Sequence, residues 1–117
     1  MSWVALEDYI AAVKAVLGNL GFRVEEGVTV NGLSGFVHSF DLAARKGGRV
    51  VYLSVKPANP LSLVAEVAKS VDVKEEVIIA VVGELAQSVD PSKGGRVRVV
   101  PFRSAEELAE KLKQMLA

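Results

Sequence analysis

The sequence predicts an α/β domain in which a small mixed β-sheet is flanked by helices, and three observations lead to that prediction. The segment Val77–Val82 is apolar at every position, as expected of a central strand covered on both faces. The segment Phe36–Lys56 contains two β-rich runs joined by a Gly-Gly pair, which is typical of a β-hairpin. Apolar residues recur at helical spacing near both ends of the chain. The predicted order is α-β-β-β-α-β-(α)-β-α.

Three helices are predicted from this spacing and from capping residues. The first runs from Trp3 to Leu20 and is followed by Gly21, a common residue just past a helix end. The second starts with the N-cap and proline pair Asn59-Pro60 and reaches about Val71. The third opens with the capping box Ser104-x-x-Glu107. The residues expected to face the core are Leu6, Ile10, Val13, Leu17 and Leu20, then Leu61, Val64, Ala68 and Val71, then Leu108, Leu112 and Met115.

The remaining strands lie between these helices. Phe22–Val24 and Val28–Val30 are β-like and are separated by a predicted bend that contains Gly27. Arg96–Phe102 is predicted as the last strand, and Leu85–Val89 as a short helix before it. Since a helix separates the second hairpin strand from Val77–Val82, those two strands are expected to be parallel neighbours.

Composition narrows the classes of protein that fit. A chain of 117 residues, half of them hydrophobic, predicts one domain over residues 1–117. There are no cysteines, so disulfides and thiolate chemistry are excluded and a cytoplasmic location is expected. No basic signal-peptide region is present and no apolar run approaches the ~20 residues of a membrane span. Basic and acidic residues balance at 14 each, so nucleic-acid binding would require a local patch.

The hairpin brings polar residues together on one face. With Gly47-Gly48 as a type I′ turn, opposed residues have numbers that sum to 95, and Asp41 is opposite Ser54. Side chains two apart share a face, so Lys56 joins them. The residues expected on the other, core-facing side are Phe40, Leu42, Leu53 and Val55. A carboxylate and an ammonium group on one strand face are therefore predicted to lie close together.

The segments ALEDYIAAVKAVLGNLGFRV, SGFVHSFDLAA and VVYLSVK, in this order of elements, resemble the PD-(D/E)XK nuclease superfamily. The resemblance spans Trp3 to about Val82 and is greatest to the archaeal Holliday-junction-resolvase and Mrr-like branches. It implies a restriction-endonuclease-like fold. It also implies that Asp41 takes the place of the motif aspartate, Lys56 that of the motif lysine, and Glu7 that of a helix-borne glutamate used as a further metal ligand.

Such nucleases hold Mg²⁺ or Mn²⁺ between carboxylates and the scissile phosphate, where the metal activates a water that the lysine positions or deprotonates. Ser54 stands where the family pattern has Asp, Glu or sometimes Gln. A neutral side chain there removes a ligand and a negative charge, so the resemblance implies an incomplete site, with Asp41 and Glu7 as metal ligands. Phosphodiesterase activity is then expected to be weak or absent. Glu66 is the nearest other acid, but helical spacing places it opposite the predicted core stripe, where it would face water.

Basic residues mark the places where DNA is expected to contact the protein. Arg45, Lys46 and Arg49 lie at the hairpin tip, and Lys93, Arg96 and Arg98 form a second group. Both groups offer contacts to phosphates, although exposed hairpin tips are commonly charged without binding DNA.

Two other interpretations remain open. The chain is alternatively a non-catalytic interaction module that keeps the nuclease fold, which the neutral net charge and apolar composition favour. A homodimer is what the resolvase-like relatives imply, and a larger complex is the other form of this hypothesis. In the second interpretation, Asp41 and Lys56 belong to an ordinary cross-strand polar cluster of a different α/β fold, and His38 is structural. High Val, Ala and Gly with few Asn and Gln indicates a thermophilic source.

Overall fold

The structure is a computed structural model in which residues 6–83 and 95–116 are described. The elements are α1 (Leu6–Asn19), β1 (Arg23–Asn31), β2 (Val37–Lys46), β3 (Arg49–Pro57), α2 (Pro60–Val71), β4 (Glu76–Val82), β5 (Val97–Phe102) and α3 (Ala105–Leu116). Every helix and strand of the predicted order is therefore found within the described ranges, except the short helix at Leu85–Val89, which lies outside them along with Lys93. In the described part of the chain, no helix is long and apolar enough to cross a membrane.

The five strands form one mixed sheet in the order β1-β2-β3-β4-β5. The first three pair antiparallel as a meander, whereas β3, β4 and β5 are parallel. Helix α2 connects β3 to its parallel neighbour β4, as the sequence predicts. β4 is buried along nearly its whole length because helices cover both faces of the sheet at this strand.

The register predicted for the hairpin is confirmed from Leu42–Leu53 to the turn, and the predicted pair Asp41–Ser54 lies just beyond the end of the ladder. Leu42 pairs with Leu53 and Lys46 with Arg49, so paired numbers sum to 95. The turn differs from the expected type I′, which needs positive φ at both loop residues. Only Gly47, at φ 60°, has a positive φ in this turn, which is the pattern of a type II′ turn.

Capping residues mark one boundary of each helix where the sequence indicates: the end of α1 and the starts of α2 and α3. Gly21 has φ 91°, and the N–H of Phe22 donates to the carbonyl of Leu17 at 2.9 Å, which closes α1. The side chain of Asn59 accepts hydrogen bonds from the first turn of α2. At α3, the N–H of Glu107 donates to Ser104 Oγ at 3.1 Å.

Two apolar clusters lie on opposite faces of the sheet. α1 and α3 cover the first cluster, which includes Leu42, Leu53, Val55, Ile78, Ala80 and Phe102. α2 covers the second, which includes Phe40, Ala43, Tyr52, Val77, Ile79 and Val81. Ser54, on the face predicted to hold Asp41 and Lys56, is fully buried on the side of the sheet that α2 covers.

The prediction that Phe40 shares a face with Leu42 is wrong. Phe40 belongs to the second cluster and stacks on Tyr52 with ring centroids 5.1 Å apart, whereas Leu42 belongs to the first. The alternation breaks at Asp41, because the pairing of β2 with β1 skips this residue together with Gly27 opposite it, which has φ 61°, and the pairing with β3 ends at Leu42.

Helix α2 turns a different face to the sheet than its apolar spacing predicts. Leu61, Val64 and Val71 are 83%, 68% and 53% exposed, so the expected core stripe points to solvent. The residues that face the sheet are Leu63, Glu66, Val67 and Ser70. The expectation that Glu66 faces water is thus wrong, and its burial is compensated by two lysines described below.

Candidate functional site

The candidate site begins where β2 and β3 separate. The ladder between them ends at Leu42 and Leu53. One residue beyond, Asp41 Oδ2 accepts a hydrogen bond from the backbone N–H of Val55 at 2.8 Å, so a side chain replaces the missing backbone acceptor. Asp41 is half-buried, and its carboxylate contacts the backbone of the residue that precedes Lys56.

The carboxylate of Glu66, on α2, forms an ion pair with Lys56. Glu66 Oε1 lies 3.5 Å from Lys56 Nζ and 2.8 Å from Lys69 Nζ, and the Glu66 side chain is only 11% exposed. Lys69 is held in place from its other side, since its ammonium donates to the carbonyl of Ser39 at 2.6 Å and lies 4.5 Å from the centroid of the Phe40 ring. A buried carboxylate thus lies beside Lys56, brought there by the helix that packs on this face of the sheet.

Two buried polar atoms in this region have no hydrogen-bond partner. They are Ser54 Oγ and Glu66 Oε2. Ser54 lies two residues before Lys56 on the same face of β3, about 7 Å along the strand. Buried polar atoms are normally paired, so two orphaned oxygens under α2 indicate either a binding position or a strained structural arrangement.

The oxygen ligands near Lys56 suit a hard divalent cation, but their expected affinity for it is low. Mg²⁺ is commonly held by one or two carboxylates, with water and phosphate oxygens completing its shell. Two carboxylates contact β3 at Lys56 or next to it: Asp41, which accepts the N–H of Val55, and Glu66, which pairs with Lys56 and whose Oε2 accepts no hydrogen bond. Within residues 6–83 and 95–116 there is no group of three or more His, Cys, Asp or Glu side chains that could hold a metal. Lys56 and Lys69 both pair with Glu66, which lowers the attraction of that carboxylate for a cation.

The other predicted ligand, Glu7, lies apart from this cluster. It is exposed in the first turn of α1. α1 packs on the first apolar cluster, whereas Glu66 and Lys69 belong to α2 on the opposite face of the sheet. Glu7 therefore belongs to the helix on the face of the sheet opposite Glu66.

The five described basic residues predicted to bind DNA gather at the other end of the sheet. Arg49 Nε donates to Glu76 Oε2 at 2.7 Å and Arg98 to Glu76 Oε1 at 3.2 Å, which joins the two predicted groups. The remaining three also have intramolecular partners: Arg45 with Glu25, Lys46 with the carbonyl of Leu20, and Arg96 with the carbonyls of Ser70 and Val71. Arg49 precedes Lys56 by seven residues of extended strand, a separation of about 23 Å.

Asp72, at the end of α2, holds the β1–β2 connection against the helix. Its carboxylate accepts the N–H of Ser34 at 2.9 Å, the hydroxyl of Ser34 at 2.6 Å and lies 2.7 Å from His38 Nε2. Ser34 and His38 both contact the carboxylate rather than each other, so they form a clamp and not a nucleophile–base pair. His38 is therefore structural in this arrangement, as one interpretation of the sequence expects.

The lowered pKa values of two carboxyl groups, Asp72 and Glu76, are the basis of a prediction of how stability depends on pH. Hydrogen bonds from Ser34 and then His38 lower the pKa of Asp72, and the Arg49 guanidinium lowers the pKa of Glu76. A lowered folded-state pKa stabilises the fold above the ordinary value near 4, and that contribution is lost as pH falls through the folded-state pKa. We expect urea midpoints to be flat from pH 7 to about 5 and to fall below about 4. The fall should be shallower in Glu76→Gln; an unchanged slope would contradict the role assigned to Arg49.

Comparisons with known proteins agree with the fold and leave the activity unassigned. A solved structure of a protein of unknown function, AF1548, is similar to this chain with a TM-score of 0.52 and 18% identity. The match covers 92% of this chain and 55% of that protein, so the chain spans little more than half of its length. No family model matches the chain, and no curated protein matches it.

Proposed function

We propose that this chain is a restriction-endonuclease-like domain of the PD-(D/E)XK superfamily whose candidate site is formed by Asp41, Lys56 and Glu66. Its substrate class is a nucleic-acid phosphodiester, and its metal-dependent cleavage is weak. The observation that carries the proposal is the burial of Glu66 beside Lys56, on the strand face where Ser54 leaves the family carboxylate missing.

The arrangement of charged groups assigns each residue a task. Asp41 and Glu66 would hold Mg²⁺ or Mn²⁺, which when bound polarises a phosphoryl oxygen and lowers the pKa of a bound water. Lys56 brings a positive charge to the place where negative charge develops on the phosphate. Asp41 is held by the N–H of Val55, so its carboxylate needs no reorganisation before binding.

The two lysines explain why the proposed activity is weak. Lys69 Nζ donates to Glu66 Oε1 at 2.8 Å. Before a cation binds, this hydrogen bond must lengthen, or the carboxylate must contact the lysine and the cation at the same time. The cation also meets a carboxylate, Glu66, that two ammonium groups already neutralise. Its affinity therefore falls below that of a site with two uncompensated carboxylates.

Calorimetric titration with Mn²⁺ tests the proposal. We expect weak binding to the wild-type chain, and binding at least ~10-fold weaker, or ~1.4 kcal/mol, in Asp41→Asn and in Glu66→Gln. Both variants keep the shape of the side chain, and the amide oxygen of Asp41→Asn can still accept the N–H of Val55. Glu110→Gln on the exposed side of α3 is the matched control and should bind as the wild type does.

A further variant decides between the two predicted ligand pairs. If Glu7→Gln loses binding and Glu66→Gln does not, the pair is Asp41 with Glu7 and our assignment of Glu66 is wrong. Binding that is unaffected by Asp41→Asn would place the metal elsewhere. Where binding is lost as expected, Mn²⁺-dependent cleavage is measured next, beginning with branched DNA, with Lys56→Met as the inactive variant.

A non-catalytic interaction module is the second candidate function. It is favoured by the neutralisation of Glu66 by two lysines and by the intramolecular partners of the five described basic residues. If the wild-type chain binds no Mn²⁺ at millimolar concentration, the metal-dependent function fails and this candidate replaces it.

A further inference from the structure

Lys69 lies at the border between the candidate metal site and a surface groove. Its ammonium donates to Glu66 Oε1 at 2.8 Å and to the carbonyl of Ser39 at 2.6 Å. Its side chain, only 17% exposed, also lines a groove of about 750 Å³. The other residues that line this groove are Ser34, Phe36, His38, Ala65, Ala68, Val71 and Asp72.

Two carboxylates flank Lys69 at equal distances along the chain. Glu66 precedes it by three residues and Asp72 follows it by three, each about 4.5 Å away along the helix axis. Side chains three apart on a helix are neighbours, and Asp72 keeps helical backbone angles, with φ −77° and ψ −5°. Lys69 therefore has one carboxylate within reach on the side of the candidate site and another on the side of the groove.

The carboxylate of Asp72 can accept a further donor. Its Oδ2 accepts the hydroxyl of Ser34 at 2.6 Å and lies 2.7 Å from His38 Nε2. Within residues 6–83 and 95–116, Oδ1 accepts only the N–H of Ser34, at 2.9 Å. Each carboxylate oxygen has about two lone pairs, so Oδ1 retains an acceptor position. An ammonium that turns into the groove therefore finds both a counter-charge and a free lone pair.

A bound cation and Lys69 compete for Glu66. Both lysines contact Glu66 Oε1, Lys56 at 3.5 Å and Lys69 at 2.8 Å, whereas the buried Oε2 accepts no hydrogen bond. A divalent cation bound to this carboxylate would lie close to the Lys69 ammonium. Like charges in a buried setting repel strongly, so binding of the cation favours departure of the closer ammonium.

We propose that Lys69 controls the access of the cation to Glu66. It pairs with Glu66 in the absence of a cation, and it turns into the groove to pair with Asp72 when the cation binds. The inference rests on the proposed metal site at Asp41 and Glu66. Asp72 is then a positioning residue for that site, although it does not bind the metal itself.

The exchange leaves no charge without a partner. In the first position, the carbonyl of Ser39 and the ring of Phe40, 4.5 Å from the ammonium, hold Lys69 against Glu66. In the second position, the cation replaces Lys69 at Glu66, and Lys69 gains Asp72. Without Asp72, the ammonium would move into a groove lined otherwise by neutral or apolar side chains and by His38, where it would have no counter-charge.

Calorimetric titration with Mn²⁺ tests the exchange in the wild type, Lys69→Met, Asp72→Asn and the double variant. Lys69→Met should bind at least ~10-fold more tightly, because the competitor is removed. Asp72→Asn should bind ~3–10-fold more weakly, because the state that admits the cation is less populated. In the double variant that loss should disappear, since Asp72 acts through Lys69. Lys74→Met removes an exposed positive charge just beyond α2 and should bind as the wild type does.

The direction of the change in affinity separates this role from a structural one. Lys69→Met leaves Glu66 with fewer partners, so the urea midpoint of the metal-free variant should fall. A lysine that only supported the fold would give no tighter Mn²⁺ binding when it is replaced. Lys69→Gln is the second variant: it can still donate to the carbonyl of Ser39 but carries no charge, and it should also bind more tightly.

The outcomes distinguish this inference from the proposed function. If the wild type binds Mn²⁺ through Asp41 and Glu66 but Lys69→Met and Lys69→Gln bind no more tightly, the function stands and the role of Lys69 is overturned. If only the Lys69 variants bind, and Glu66→Gln abolishes their binding, the wild-type function fails and the inference stands. If none of these proteins binds, both fall. An equal loss from Asp72→Asn with and without Lys69→Met overturns the exchange, because Asp72 then acts by its charge alone.

Discussion

Replacing Gly32 with alanine is expected to lower the free energy of unfolding by about 2–4 kcal/mol. An added Cβ would lie 2.7 Å from Asp72 Cγ and 2.9 Å from His38 Nε2, so the Asp72 clamp must open to admit it. Opening removes the hydrogen bonds from Ser34 and leaves the half-buried carboxylate of Asp72 with fewer partners. Urea denaturation followed by circular dichroism measures the change.

A second glycine provides the control. Gly18 lies within α1, and a Cβ there would meet no atom within 4 Å. Gly18→Ala should therefore stabilise the fold by up to ~1 kcal/mol, because alanine is the better helix former. A loss of stability at Gly18 equal to that at Gly32 would show that steric contact with Asp72 is not the cause.

Removing the carboxylate of Asp41 is expected to cost about 2 kcal/mol of stability in Asp41→Ala, and much less in Asp41→Asn. The N–H of Val55 is bonded to this side chain, and Val55 is 2% exposed, so loss of the acceptor leaves a buried donor unpaired. Asparagine retains an acceptor oxygen at the same place. Chemical denaturation of both variants gives the two values.

The comparison separates the two roles of Asp41. In the proposed site, Asp41→Asn keeps the fold and loses Mn²⁺ binding, whereas Asp41→Ala loses both. If the two variants are equally destabilised, the hydrogen bond to Val55 contributes nothing and Asp41 is not pre-positioned by it.

Local signals in the sequence predicted much of the fold. The Gly47-Gly48 pair determined the hairpin register, because a tight turn leaves one pairing that keeps the apolar residues of both strands together. The start of α2 was determined by Asn59 and Pro60, whose effects depend only on the first helical turn. The continuous apolar run of β4 indicated a strand covered on both faces, which it is.

Only the tertiary structure decided which face of α2 is buried. Periodicity reports that a helix has an apolar stripe, but not whether the covering surface is the sheet or another molecule. Against the sheet, Glu66 finds Lys56 on β3 and Lys69 one turn away, and these charges offset the cost of removing a carboxylate from water. That compensation depends on residues distant in the sequence, so spacing along the helix could not reveal it.

The same limit applies to the candidate site as a whole. The sequence identified Asp41, Ser54 and Lys56 because they lie on one hairpin whose geometry is local. It missed Glu66, and it divided Arg49 and Arg98 into separate groups although both bind Glu76. Within the described residues, the sequence by itself determined the order of helices and strands and the hairpin register. The tertiary structure decided which charges meet, because ion pairs between elements depend on how the layers are packed.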